Sequence, residues 1–209
     1  MDENTFWTLM DELGRRPGGR PERLEWLRGR LRCRPAAEAV EFQVRLESAC
    51  GAVATDALWR AVRRIESGLC SDDGFDYFAL WLVAQGRETY EAALADPDVL
   101  AGLAGIRALA GRHPREWHDD EWPEWEELDY VAQEVFEELT GGADGREEAF
   151  YDALEAAQEA EPEPGPRAES GAAGDGTPRL DALFPAGGGP GAPHEKAWPP
   201  GGRGARIGR

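Results

Sequence analysis

Three groups of residues have types and spacing that could do chemistry. Asp72, Asp73 and Asp76 lie within five positions, with Arg87 and Glu88 a little further on. Oxygen ligands this dense could hold a hard cation. The spacing is not that of an EF-hand loop, whose later ligands and closing glutamate are missing. His113, His118, Asp119, Asp120 and Glu121 make the second group. Imidazole and carboxylate together could bind zinc or supply a base near neutral pH. They lack the helical His spacing of a metalloprotease. One functional reading is therefore a metal-dependent enzyme or small-ligand-binding protein, with Asp72, Asp73 and Asp76, or His118, Asp119 and Glu121, as ligands. A structural reading competes and is preferred. Acids in a first helical turn complement the helix dipole, with Asp72 as the cap, and the histidine group is a solvated polar loop.

The third group is aromatic. Trp117, Trp122 and Trp125 stand among acids, with Glu126 and Glu127 directly following. Exposed tryptophan with a polar rim is a common interface anchor. The alternative is that these rings pack back and close the domain. Trp59 and Trp81 fall on apolar faces and read as core. No GxGxxG, GxxxxGK[ST] or GxSxG motif occurs, so no cofactor is expected. Cys70 precedes a helix start, which favours a thiolate, but three acids beside it oppose that.

Charge is divided unevenly along the chain. The total is −18, yet residues 1–70 carry +1, residues 71–160 carry −19 and residues 161–209 carry 0. An acid excess of this size argues against nucleic acid or an anionic membrane as the main partner, because both need a basic surface. It suits a basic protein partner. No apolar run approaches the ~18 residues that span a bilayer, and the opening MDENTFW is not a secretory signal. Cys33, Cys50 and Cys70 form no CxxC pair and read as reduced thiols of a cytoplasmic protein.

These residues need elements to place them. The stretch Cys70–Pro97 is central. Tyr77 to Ala84 is an unbroken apolar run, preceded by capping types at Ser71, Asp72 and Asp73 and followed by Gly86. A buried helix over about 72–85 is predicted, with Phe75, Phe78 and Leu82 on one face and Trp81 beside them. Before it, four amphipathic helices are expected. Their stripes are Phe6, Leu9, Met10 and Leu13 (capped by Asn4 or Thr5); Leu24, Leu27 and Leu31; Ala39, Phe42, Leu46, Ala49 and Val53; and Leu58, Ala61, Val62 and Ile65. After it, Tyr90 and Leu94 begin a further helix, Val99 to Ile106 another, Trp125 to Leu139 a helix over about 124–140, and Phe150 to Ala157 a last one over about 145–160. No segment alternates with period two. The fold class is all-α: a compact multi-helix bundle around a buried central helix, over residues 1–160.

Residues 161–209 contain 12 Gly and 9 Pro and are expected to be disordered. One island, Pro178 to Pro185, places Leu180, Leu183 and Phe184 at helical spacing. It reads either as chance in a biased tail, the preferred reading, or as a short motif that folds on a partner.

Three blocks together resemble a bacterial family known as domain of unknown function 4240: MDENTFWTLMDEL, CSDDGFDYFALWLVAQGRETYEAALADPD and EWEELDYVAQEVFEELTG. The middle block is the most specific. The resemblance covers roughly residues 1–141, with 105–122 as a variable connection. It implies a compact helical domain in bacteria and supplies no mechanism and no catalytic residue. The function expected is a non-catalytic protein-interaction or regulatory module with an acidic binding face, in which Trp117, Trp122, Trp125, Glu126 and Glu127 do the binding.

Overall fold

The computed structural model describes residues 1–141, 146–160 and 176–185. It is all-α, and among the described residues no strand occurs. The expected disordered tail falls mainly on residues 161–175 and 186–209, which lie outside the described residues.

Helix α1 (Glu3–Arg15) starts at Asp2, whose carboxylate accepts from Thr5 N–H, and not at Asn4 or Thr5 as expected. Helix α2 (Arg20–Arg32) carries the arginines. Helix α3 (Ala36–Val53) buries its whole expected stripe, Ala39, Phe42, Leu46, Ala49 and Val53. Helix α4 (Asp56–Ile65) is capped by the Thr55 hydroxyl, which accepts from Leu58 N–H.

The central helix α5 (Asp72–Val83) is capped by Ser71, not by Asp72. The Ser71 hydroxyl accepts from Gly74 N–H, so Asp72 and Asp73 serve the first turn by charge alone. Phe75, Phe78 and Leu82 are buried on it. Trp81 is only half-buried, tilted against Phe78 at a centroid distance of 5.6 Å. Phe75 and Phe78, and not Trp81, are therefore the rings that α5 fully buries.

Gly86 joins α5 to α6 (Arg87–Ala95) at φ +94°, a region that favours glycine. A Cβ there would come within 2.7 Å of an Asp11 carboxylate oxygen. That oxygen accepts from Arg87 N–H at 2.7 Å, so α1 supplies the cap that α6 lacks locally. The Tyr90 hydroxyl donates to the Ala49 carbonyl and ties α6 to α3.

Beyond Asp96 the helices shorten. A 3-10 helix, Pro97–Gly102, is followed by α7 (Ala104–Leu109), because Leu103 is extended between them. The helix expected over 124–140 is corrected to α8 (Val131–Leu139), preceded by a 3-10 turn at Glu126–Leu128. Trp125 N–H donates to the Tyr77 carbonyl on α5, so its backbone is committed to a tertiary contact. Helix α9 (Arg146–Ala160) lays Phe150 and Leu154 on α3 and α8. The island from the tail forms α10 (Pro178–Leu183), packed against the 97–102 turn and α4.

Candidate functional site

An open cleft of about 440 Å³ lies where the start of α2, the end of α4, the start of α5 and the long connection before α8 meet. Arg20, Glu66, Ser71, Tyr77, Asp119, Trp122, Glu124, Glu126 and Glu127 line it, with Leu69 at its edge. Five carboxylates thus face one guanidinium among the lining residues.

The walls are fixed by backbone bonding. After α4 the chain reverses through Ser67 (φ +53°) and Gly68 (φ +81°), with Gly68 N–H donating to the Arg63 carbonyl. This turn leaves Leu69 exposed and brings Ser71 to the mouth. On the opposite wall, Arg20 donates to the Trp122 carbonyl and at 3.5 Å to that of Asp119. Trp125 is held by the Arg23 guanidinium, 4.7 Å from its ring centroid.

Glu66 lies at the bottom of the cleft. It is 1% exposed, and its Oε1 has no hydrogen-bond partner. Burial pushes its carboxyl up to about 8, and the charge of Glu124 adds to the rise, while the Cys70 thiol opposes it. Glu66 is therefore largely a neutral carboxylic acid at pH 7, able to donate a hydrogen bond or a proton. Glu124 is also raised, by burial first. Burial likewise pushes the Cys70 thiol up, with the charges of Glu66 and Glu124 adding to it, so it is not an activated nucleophile. Tyr77 is pushed up to about 12 by desolvation and by its hydrogen bond to Glu126.

The structure divides the tryptophan group. Trp117 and Trp125 are buried, so these two pack back and close the domain. Trp122 is half-buried, meets Trp117 edge-on at 4.9 Å, and presents surface to the cleft. Glu126 and Glu127 are exposed beside it. Trp122, Glu126 and Glu127 therefore come together, while Trp117 and Trp125 support them from behind.

The metal candidates do not converge. Asp72, Asp73 and Asp76 are exposed along the outer side of α5. Glu121 is engaged by Arg112 at 2.6 and 3.0 Å and by His118 N–H at 2.8 Å. The Arg112 bonds, then the His118 N–H, hold its carboxyl at about 2. The His113 ring accepts from Arg115 N–H and so closes a turn. Among the described residues no group of three or more His, Cys, Asp or Glu side chains could hold a metal ion.

Part of the negative charge outside the cleft is paired. Arg28 meets Glu134, and Arg32 meets both Glu138 and Glu25. Helix α2 thus supplies counter-ions to Glu134 and Glu138 on the adjoining face of α8. Sequence reasoning missed Glu66 and Glu124 as members of this site. A signal for Glu66 existed, since it falls four residues after Val62, on the apolar stripe of α4.

No helix among the described residues is long and apolar enough to cross a membrane. A family model described as "Protein of unknown function (DUF4240)" matches residues 1–138. No curated protein and no solved structure matches the chain.

Proposed function

We propose a function from one premise: the chain belongs to the DUF4240 family of proteins of unknown function. It is a non-catalytic, cytoplasmic interaction module, and its acidic cleft takes a basic segment of a protein partner. The observation that carries this reading is the acid content of the cleft lining, five carboxyl groups (Glu66 among them) around a single arginine, with Trp122 as the apolar anchor. A lysine or arginine side chain entering the cleft meets Glu126 and Glu127 at the rim and Glu66 at the bottom.

Glu66 gives the reading a specific signature. A cation beside it favours the carboxylate, so binding near pH 7 releases a proton. Affinity then rises with pH up to about 8, the value at which the free carboxyl titrates. The test is calorimetric titration of the full chain with an arginine- and lysine-rich peptide, in two buffers of different ionisation enthalpy. The expected result is salt-sensitive binding with proton release. The double variant Glu126→Gln, Glu127→Gln should weaken it about fivefold, as expected for two partly exposed ion pairs. Binding that the variant leaves unchanged, or that takes up protons, would remove the cleft from this role.

A further inference from the structure

The tail island is seated on the folded chain by reciprocal charge pairing. Asp98, in the 97–102 turn, is 4% exposed, and both of its carboxylate oxygens are used. Oδ1 accepts from Leu180 N–H at 2.9 Å. Oδ2 accepts from Arg179 N–H at 3.0 Å and from Arg179 Nε at 2.9 Å. Asp96 takes another nitrogen of the same guanidinium at 3.1 Å. With the opposite polarity, Arg64 on α4 holds Asp181 at 2.7 Å. Two acids and one base on the groove thus face one base and one acid on the segment. Leu180 is fully buried and Phe184 nearly so, which adds two apolar anchors one turn apart.

A chance helix in a Gly- and Pro-rich tail would bury an apolar side chain or two. It would have no reason to satisfy both oxygens of a buried carboxylate and to match charges in register. Burial opposes ionisation of Asp98, yet the bonds from Leu180 and Arg179 hold its carboxyl below the ordinary range, so the site is arranged around an anion. The groove residues Arg64, Asp96 and Asp98 lie inside the matched residues 1–138, and the segment lies outside them.

We propose that the groove formed by α4 and the 97–102 turn is a receptor for short peptides of the form Pro-Arg-Leu-Asp-x-Leu-Phe, and that its resident occupant is the chain's own Pro178–Phe184. Asp98 reads the first two peptide N–H groups together with the arginine. Asp96 and Arg64 check the flanking charges, and the Leu and Phe side chains fill the apolar part. This site is separate from the acidic cleft and does not depend on the reading given for it.

The experiment uses the full chain and a fluorescent peptide of residues 176–185. In the wild-type chain the groove is already filled. The Leu180→Asp variant puts a charge where the segment is fully buried, frees the groove, and should bind the added peptide. Wild type should bind it at least about tenfold more weakly, as a tethered competitor would dictate. Adding Asp98→Asn to the freed chain should abolish peptide binding, and a peptide carrying Leu180→Asp should not bind any variant. If Leu180→Asp lowers the helical circular-dichroism signal, Arg179→Ala replaces it, since that side chain is more than half exposed. No binding to a folded, freed chain overturns the proposal. So does equal binding to wild type, or equal binding of the altered peptide.

Discussion

Glu66 and Asp98 are both almost wholly buried carboxyl groups, yet they titrate in opposite directions. Glu66 is raised to about 8, and Asp98 is lowered below its ordinary value. Burial pushes both upward. The difference is the number of donors each one finds. Asp98 collects two backbone N–H groups and a guanidinium, whereas one oxygen of Glu66 has no partner and a second acid stands nearby. Burial alone therefore does not fix the charge of a carboxyl group. In this chain one carboxyl group is left short of donors, and the other, at a separate site, is satisfied by a segment about 80 residues away in sequence.

The sharpest test of this contrast is pH. A group whose folded pKa is raised costs stability as pH rises, since the unfolded chain ionises first. Wild type should lose stability from about pH 4.5 to pH 8 through Glu66 and then level off. Glu66→Gln should flatten that window by on the order of 4 kcal/mol, read from denaturant melts across it. Glu47, Glu124 and Asp129 are raised as well and leave a smaller slope of the same sign. Parallel curves for the two proteins would mean that Glu66 is ionised in the folded chain.

The opposite arm is Asp98. Its stabilising contribution is present above the ordinary aspartate range and is lost as pH falls through its lowered pKa. Asp98→Asn keeps the shape and removes the charge, and should cost about 1.5–3 kcal/mol, the worth of hydrogen bonds to a charged group. Hydrogen exchange at the Arg179 and Leu180 amides is the readout. Unchanged protection there would show that the Asp98 charge does not seat the segment. The smallest effect belongs to Arg64→Ala. Its pair with Asp181 is part-exposed on both sides, so the loss should be about 0.5 kcal/mol. A loss of several kcal/mol would give Arg64 a larger share of the docking than its exposure suggests.

How much of this was legible follows from the range of each interaction. The stripes of α1 to α4, and the burial of Phe75, Phe78 and Leu82, are local patterns and were read from spacing. So was the stop at Gly86, although not the Asp11 carboxylate that makes glycine necessary there. The helix expected from 124 starts at Val131 because Trp125 N–H bonds to Tyr77, a contact that no local periodicity encodes. Trp117 and Trp122 look alike in sequence, and only the packed loop separates the buried ring from the one at the cleft. The Pro178–Pro185 island showed its apolar spacing, and what stayed hidden was that its receptor is Asp98. Arg28 and Arg32 stand off the apolar face of α2 in sequence, with no local sign of their partners, and the structure makes them counter-ions of Glu134 and Glu138 on α8.

The seating of Pro178–Phe184 on the same chain has a quantitative corollary. Fifteen residues (161–175) separate Ala160 from Gly176, so the segment never diffuses far from its groove. Short tethers of this kind correspond to local concentrations in the millimolar range. A loosely held segment is then enough to keep the groove closed to any untethered peptide of similar strength. Only a ligand that binds much more tightly, or one presented in many copies, gets through. The tether sets a threshold, and the strength of the island's own contacts sets how high that threshold stands.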